Sequence, residues 1–407
     1  MGGLRNRIGV MVGGALVAVI ASGCGLSFNR ATNSAIGSSS PAPSAAASVG
    51  PCPVVPGAAI DRPPGGVERI LFARPTGVGY ANDLWIYDMK TDKSRRLVRG
   101  GKHAVNGADF SGPETISYGL GDYDESRVIE IDLRTGKSRV LLEGDFTPGA
   151  WDPTGSALSL TRSQSQEVDV SSVALTAMHY CRATGKVHRL GALGDAALRE
   201  SAEDEDAEAS WSPDGRMLLV QEILYSDDGL TGVTMFVVRP DGSDVAPPGE
   251  GTFATWSPDG SRIYYRSTYR DSYKLATPEL DSRRVWYSFD PVTGSRQTLA
   301  VRHDAMRPSV SPDGTRLAYD TSGKHPAAYV FDLAVGTERK VADDAVDAMW
   351  VSNDELVLTK TRPCNVDDCW ETPWAAIGPV FRVDLTTGTR KSLSLPWVQR
   401  SYFLSTR

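Results

Sequence analysis

Short apolar runs bounded by turn residues recur along most of this chain. The runs Met217–Val220 and Arg316–Tyr319 are typical, and each follows a tight polar turn. Three such turns are nearly identical, at Trp211–Gly215, Trp256–Gly260 and Val310–Gly314, with the core Ser-Pro-Asp-Gly. A motif that recurs every ~40–60 residues and is flanked by short strands is typical of a radial β-repeat. The pattern therefore predicts four-stranded propeller blades.

The full repeat can be followed seven times between Val67 and Arg407. Each unit contains a strand ending in an aromatic or apolar residue, a tight turn, two strands joined by a variable loop, and a fourth strand after a second turn. Most of these second turns have the form Thr-Gly, and they lie at 89–93, 133–137, 182–186, 239–243, 291–295, 333–337 and 385–389. We predict an all-β fold, a seven-bladed propeller of four-stranded antiparallel blades. Six blades are also compatible if the strands of the first unit belong elsewhere.

The first repeat unit lacks a strand, and an extra strand follows the last unit. Blade one has no first strand, since its apolar runs begin at Ile70–Phe72, whereas Val398–Thr406 is an extra strand after blade seven. We expect this C-terminal strand to complete blade one and close the ring.

The aromatic residue that opens most units is interpreted as a packing residue between blades. Its Asp-Gly pair is explained by turn chemistry, because no alternating acidic calcium ligands surround it.

The Trp-Ser-Pro-Asp-Gly units resemble the TolB-type repeat, a WD-repeat-like family, over about Val67 to Arg407. The resemblance implies the propeller fold. TolB is a periplasmic protein that helps to maintain the cell envelope through a lipoprotein partner, and it carries an α/β domain before its propeller. Similar repeats precede the catalytic domain of prolyl-oligopeptidase-like hydrolases. We expect neither extra domain here, because 24–66 is too short and Pro-rich for the first, and the sequence ends with the propeller.

The N-terminal residues indicate export. Arg5 and Arg7 precede an apolar run, Ile8–Ile20, that ends in Ala21-Ser22-Gly23-Cys24. This resembles a bacterial lipobox, in which signal peptidase cleaves before the cysteine and its sulfur carries lipid. The alternative is an ordinary secretory signal that contains a cysteine. We predict a signal peptide at 1–23, a lipid-linked disordered Ser/Ala/Pro-rich linker at 24–66 and a propeller at 67–407, tethered to the outer face of the cell membrane.

The other four cysteines fit an exported protein. Cys364 and Cys369 can close a small loop, for which a local disulfide is favoured over zinc, since the spacing is not CxxC and no histidine is near. Cys52–Cys181 follows only by elimination, and this pairing would attach the linker to the propeller.

Loop lengths point to one functional face. The first-to-second and third-to-fourth turns are short, whereas the second-to-third loops and one blade connection are long: 75–82, 119–126, 163–172, 225–232, 267–284, 361–378 and 194–209. Long loops on a rigid scaffold commonly carry binding groups. The predicted anchors for a protein or glycan partner are the aromatic residues of these loops, Tyr80, Tyr123, Tyr269, Tyr273, Trp370 and Trp374. The alternative is that these rings pack their own loops.

The net charge and the absence of common catalytic motifs argue against several classes of function. The net charge of −7 argues against nucleic-acid binding. The acidic run 200–208 is interpreted as a solvated segment, and no nucleophile-elbow, zinc-protease or phosphate-loop motif occurs. We therefore predict no catalytic residue, cofactor or metal. The favoured function is a monomeric, lipid-anchored scaffold that binds an envelope protein or glycan. The alternatives are a lyase or glycosidase at the channel mouth, and a solute-sensing accessory of a membrane protein.

Overall fold

The computed structural model describes residues 52–60, 67–75, 82–101, 103–122, 125–144, 146–161, 176–192, 204–226, 229–267, 285–303, 305–321, 325–363, 374–395 and 403–406. These residues form 27 β-strands and no helix. None of them belongs to a helix long and apolar enough to cross a membrane.

The strands form seven antiparallel four-stranded blades, which confirms the predicted fold and the count of seven. Blade 1 contains β1 (Arg69–Pro75), β2 (Asn82–Asp88), β3 (Lys93–Val98) and the last strand, β27 (Phe403–Thr406). Blade 2 contains β4 (Ala104–Gly112), β5 (Thr115–Asp122), β6 (Glu125–Asp132) and β7 (Ser138–Glu143). Blade 3 contains β8 (Thr147–Trp151), β9 (Ala157–Thr161), β10 (Thr176–Cys181) and β11 (Lys186–Ala192).

Blades 4 and 5 share one continuous strand. Blade 4 contains β12 (Asp204–Trp211), β13 (Leu218–Ser226), β14 (Gly229–Val238) and the first part of β15 (Asp244–Trp256). The second part of β15 pairs with β16 (Ile263–Ser267) and becomes the first strand of blade 5, which continues with β17 (Trp286–Phe289) and β18 (Arg296–Leu299). The two blades therefore appear as one seven-stranded sheet.

The last two blades are regular. Blade 6 contains β19 (Ala305–Val310), β20 (Arg316–Thr321), β21 (Ala327–Asp332) and β22 (Thr337–Asp343). Blade 7 contains β23 (Ala345–Ser352), β24 (Glu355–Pro363), β25 (Trp374–Asp384) and β26 (Arg390–Ser392). The first strands of neighbouring blades pack beside one another, as β4 does with β8 and β19 with β23. These strands surround the propeller axis.

The core is divided between the blades. Successive residues of a strand point to opposite faces of its sheet, so each blade contributes apolar side chains to two neighbours. In β1, for example, Ile70 and Phe72 pack against blade 7, whereas Leu71 packs against blade 2. The described residues form seven apolar clusters, one at each of the seven blade junctions.

The C-terminal strand closes the ring as predicted. β27 pairs with β1 in antiparallel register, with Ile70 opposite Thr406 and Leu71 opposite Ser405. On the opposite side of blade 1, the Asp92 carboxylate accepts a hydrogen bond from the Ser394 N–H of blade 7 at 2.9 Å. The junction between the first and last blades is thus held by strand pairing, apolar packing and polar contacts together.

A short N-terminal segment, residues 52–60, lies across blade 3, and we call it the strap. Its Cys52 is joined to Cys181 of β10 by a disulfide. The Val55 N–H donates to the Ser156 Oγ at 3.1 Å, and the Ile60 N–H donates to the Pro153 carbonyl at 3.0 Å. These residues belong to the stretch 24–66 assigned to a linker from sequence, and in the structure they pack on the propeller.

Candidate functional site

The tight-turn end of the propeller is occupied by self-contained hydrogen-bonded turns. In each Ser-Pro-Asp-Gly turn the serine Oγ donates to the aspartate two residues later at 2.6 Å, as for Ser212, Ser257 and Ser311. The same Oγ accepts a backbone N–H five residues later, at 2.9 Å in all three turns. The serine and aspartate side chains of the motif therefore stabilise their own turn.

The aromatic residues that open the blades contact the preceding blade, as the sequence predicts. Trp256 Nε1 donates to the Ser210 carbonyl at 3.2 Å, and Trp350 Nε1 donates to the Ser309 carbonyl at 2.8 Å. Trp151 Nε1 donates to the Ser117 Oγ at 2.7 Å. All three tryptophans are buried. They act as fixed spacers between blades.

The turns between the third and fourth strands of a blade are stabilised by an aspartate side chain. The carboxylates of Asp132, Asp290, Asp332 and Asp384 each accept backbone N–H groups two and three residues later. The hydrogen bond from the Thr135 N–H is the main reason why the pKa of Asp132 lies below its usual range. These four aspartates are thus components of their own turns.

One cavity at the tight-turn end contains charged groups. It has a volume of about 470 Å³ and lies between the strap and the turns of blades 2 and 3. Its central group is Glu130, whose side chain is 6% exposed and forms ion pairs with Arg139 at 2.6 Å and with Arg182 at 2.7 Å. The Ser111 Oγ donates to the same carboxylate at 2.9 Å.

Glu130 and Arg182 connect two blades. Arg182 also donates to the carbonyls of Gly155 and Ser111, at 2.7 and 2.6 Å, and its guanidinium lies 4.2 Å from the centre of the Trp151 ring. Burial alone would raise the pKa of Glu130, but the two arginines and Ser111 outweigh burial and hold it below its usual range. Since Arg182 joins Glu130 of blade 2 to its own blade and Arg139 shares the same carboxylate, the arrangement is a structural link between blades 2 and 3.

The opposite end carries three extended hairpins, formed by the middle strands of blades 2, 4 and 7. Their strands contain 8 to 11 residues, β5–β6, β13–β14 and β24–β25. Within the part of the chain that the structure describes, the equivalent strands of blades 3, 5 and 6 contain 4 to 6 residues. The extra length lies on the long-loop side, because the pairs Asp122–Glu125, Ser226–Gly229 and Pro363–Trp374 end these ladders.

This geometry corrects the predicted loops. Parts of the segments 119–126, 225–232 and 361–378, expected as loops, are β-hairpin extensions. The alternating pattern there is weak and contains Gly and acidic residues, so it did not identify strands. The residues 204–209 of the predicted connection 194–209 also belong to a strand, β12.

The predicted anchors fall mostly outside the described residues. This holds for Tyr80, Tyr123, Tyr269, Tyr273 and Trp370, and also for Cys24, Cys364 and Cys369. Trp374 is the first residue of β25 and pairs with Pro363, which places it at the end of the blade 7 hairpin. Asp122 and Glu125, on either side of the segment that contains Tyr123, end the blade 2 hairpin.

Blade 4 differs from its neighbours along the axis. The first strands of blades 2, 3, 5, 6 and 7 each contain a one-residue bulge, as between Asn106 and Asp109. β12 has a regular register from Asp204 to Trp211 without a bulge. Four acidic residues of the run 200–208, expected as a solvated segment, belong to this strand: Asp204, Glu205, Asp206 and Glu208. The backbone thus places an acidic strand beside the axis, which the sequence pattern alone did not indicate.

Two of the described histidines, His179 and His188, lie together, with ring centres 5.3 Å apart, whereas His303 and His325 each contact a carboxylate. His303, in the connection between blades 5 and 6, contacts Glu338 at 2.7 Å and stacks on Tyr329 at 4.2 Å between ring centres. Tyr319 Oη donates to the same Glu338 at 2.6 Å, and burial and this bond raise the pKa of Tyr319. His325 pairs with Asp344 at 3.2 Å. His179 lies buried beside the strap disulfide.

Comparisons with known proteins agree with the fold. Neither a protein-family model nor a curated protein matches the sequence. A prolyl endopeptidase structure has 15% identity and a TM-score of 0.56; the match covers 80% of this chain and 48% of the enzyme, so the chain spans about half of it. An oligogalacturonate lyase in complex with manganese has 18% identity and a TM-score of 0.54, covering 72% of this chain and 82% of the lyase. TolB from Acinetobacter baumannii has 17% identity and a TM-score of 0.45, covering 70% and 67%. At these identities the similarity to the endopeptidase and the lyase establishes the propeller architecture alone.

Proposed function

We propose that this chain is an envelope protein whose propeller binds a protein or glycan through its long-loop end. The observation that carries the proposal is the set of three extended hairpins, β5–β6, β13–β14 and β24–β25, which project from that end of the ring. Binding groups placed on such strands are held by a ladder of backbone hydrogen bonds, so they lose little entropy when a partner binds.

The other end of the molecule is less suited to a partner. Its serine and aspartate side chains are used by their own turns, and its charged cavity is spanned by mutually paired groups, Glu130 with Arg139 and Arg182. A partner would have to break these bonds to use them. This contrast supports the long-loop end as the binding face.

The chemistry of that end indicates the kind of partner. Trp374 begins the projecting β25, and aromatic side chains are strong anchors in both protein and sugar recognition. The acidic strand β12 and the acidic end of the blade 2 hairpin, Asp122 and Glu125, favour a surface with basic or hydroxyl groups. We therefore propose a partner that presents such groups around an apolar or sugar surface.

We further propose that a lipid on Cys24 holds the chain at the outer face of the cell membrane. The lipobox-like sequence Ala21-Ser22-Gly23-Cys24 supports this location, and the Cys52–Cys181 disulfide is the type of bond found in exported proteins. The segment between Cys24 and the strap would then set the distance between membrane and propeller.

The test is a crosslinking pull-down from intact membranes with the native full-length chain. We expect one envelope component to be recovered with the wild type and strongly reduced recovery with Trp374→Ala. The matched control is Val335→Ala, in a tight turn of blade 6, where the side chain is 72% exposed and a neutral result is expected. Thermal unfolding of both variants checks that the fold is retained.

Two outcomes would contradict the proposal. Equal loss of recovery with Trp374→Ala and Val335→Ala would show that the hairpin end has no special role. Recovery of no component, together with turnover of oligogalacturonate or of a glycan or peptide library by the wild type, would favour the enzyme alternative instead.

A further inference from the structure

Three metal-ligating side chains meet between the strap and blades 3 and 4. The sulfur atoms of Cys52 and Cys181 and a ring nitrogen of His179 all lie within 4.8 Å of one another. His179 and Cys181 are two residues apart on β10, so they lie on the same face of the strand, and the strap brings Cys52 to them.

The surroundings of this cluster are apolar and aromatic. Cys52 packs against an apolar cluster shared by blades 3 and 4, which includes Leu190 and Trp211. The Trp211 ring lies 6.2 Å from the His179 ring in an edge-on arrangement, and the His188 ring lies at 5.3 Å. His179 and Cys181 are almost completely buried, whereas Cys52 is half-buried on the strap side.

His179 is unusual among the described histidines. Its side chain is 0% exposed, and neither ring nitrogen has a hydrogen-bond partner among the described residues. His303 and His325, in contrast, each pair with a carboxylate. Buried polar side chains in proteins are almost always paired, so an imidazole without a protein partner beside two sulfur atoms points to a ligand that it binds in another state.

We propose that the reduced form of this cluster binds a thiophilic d¹⁰ cation, Cu⁺ or Zn²⁺, through two cysteine thiolates and one imidazole. In the disulfide form the sulfurs are bonded to each other and are weak ligands. An external dithiol reduces the bond by exchange: its two thiols transfer two electrons and two protons to Cys52 and Cys181 and become a disulfide. The cation then replaces the two thiol protons.

The donor set favours soft cations. Thiolates select Cu⁺ and Zn²⁺ over hard cations such as Mg²⁺ and Ca²⁺, and imidazole suits the same metals. Three donors in a buried, apolar setting match the low coordination numbers of Cu⁺, whereas Zn²⁺ would require a fourth ligand. The bound cation would keep the strap attached to blade 3 after the disulfide is reduced, so the strap would be held in both redox states.

The test uses the full-length chain reduced with a phosphine, loaded separately with Cu⁺ and with Zn²⁺ under anaerobic conditions, and passed over a desalting column. We expect the reduced wild type to retain one equivalent of one of these cations and the oxidised protein to retain none. Competition with a chromophoric chelator measures the affinity of each variant for the cation. We expect His179→Gln to lower this affinity by at least about 100-fold, a larger effect than is typical when the mutated residue only orients a metal ligand.

Two controls separate this site from other thiols and histidines. Binding should persist in Cys364→Ser/Cys369→Ser and in His325→Gln, because the proposed donors are Cys52, Cys181 and His179. X-ray absorption of the loaded wild type should show two sulfur ligands and at least one nitrogen ligand, a result that does not depend on how well His179→Gln folds. Retention of neither cation, equal retention by His179→Gln, or a sulfur-only spectrum would overturn the proposal.

Discussion

At the scale of single residues, the repeat is held by side chains that complete their own turns or link adjacent blades. Ser311 is typical of the first kind: it is fully buried, donates to Asp313 and accepts the Arg316 N–H. Glu130 is typical of the second, since it joins Arg139 and Arg182 across blades 2 and 3. Their contributions to stability differ in their dependence on pH.

Ser311→Ala should destabilise the fold by about 1–2 kcal/mol, because the mutation leaves the Arg316 N–H without its acceptor in a part-buried turn. Urea unfolding of the two proteins measures this difference. The control is Val335→Ala, an exposed turn position where we expect almost no change. Equal stabilities of Ser311→Ala and the wild type would show that the serine does not hold the turn.

Glu130→Gln should lower the free energy of unfolding at pH 7 by about 1–3 kcal/mol, since charged hydrogen bonds are lost. The pKa of Glu130 is lower in the folded chain than its usual value, so its contribution is complete above about pH 4.3 and is lost as the pH falls through the folded pKa. The difference between variant and wild type should therefore shrink in acid. Urea unfolding at pH 7 and pH 3 measures both values, and a constant difference would contradict the assignment.

At the scale of elements, two features give the ring its asymmetry, the extended hairpins at one end and the strap at the other. The strap lies so close to blade 3 that a Cβ on Gly155 would lie 2.0 Å from the Ala58 carbonyl oxygen. Gly155 also has a φ of +66°, which a side chain disfavours. This glycine therefore serves both the turn and the approach of the strap.

Gly155→Ala should displace the strap and cost more stability than Gly185→Ala. Gly185 has nearly the same φ, +67°, but a Cβ there meets no atom within 4 Å, so its mutation reports backbone strain alone, about 1 kcal/mol. We expect faster hydrogen exchange in residues 52–60 only with Gly155→Ala. Identical exchange and thermal unfolding of the two variants would show that the strap does not depend on this contact.

Two distant contacts were predicted and are confirmed, the Cys52–Cys181 disulfide and the pairing of β27 with β1. Apart from these, the sequence predicted what is local and repeated and missed what depends on residues far apart in the chain. The turns of Ser257 and Ser311 and the spacer role of Trp256 follow from short motifs that the structure confirms. The strap contact between Val55 and Ser156 joins residues 101 positions apart, and no periodic pattern signals it. The hairpin extensions were missed because their residues are too polar and glycine-rich to resemble strands. Pairing with the neighbouring strand nevertheless gives them strand structure.

At the scale of the whole molecule, we expect stability to depend on closure of the ring. Apolar clusters occur at all seven junctions between described residues, and the junction of blades 7 and 1 is completed by pairing of β27 with β1. A propeller closed in this way lacks an open edge strand at the join. The first and last strands of the described residues therefore hold blade 1 together.

Deletion of residues 401–407 should lower the midpoint of thermal unfolding by roughly 5 °C or more, because blade 1 loses its innermost strand and β1 acquires a free edge. Removal of Arg407 alone is the control, since this residue follows the end of β27. An unchanged midpoint after the longer deletion would show that β27 does not hold the ring closed.

The most direct test of the proposed binding face is site-specific photo-crosslinking in intact cells. A photoreactive amino acid is placed at Trp374, at the end of the blade 7 hairpin, or at Val335, in an exposed tight turn of blade 6. We expect a discrete crosslinked adduct from position 374 and none from position 335. An adduct from position 335 alone, or the same adduct from both positions, would contradict the proposed binding face.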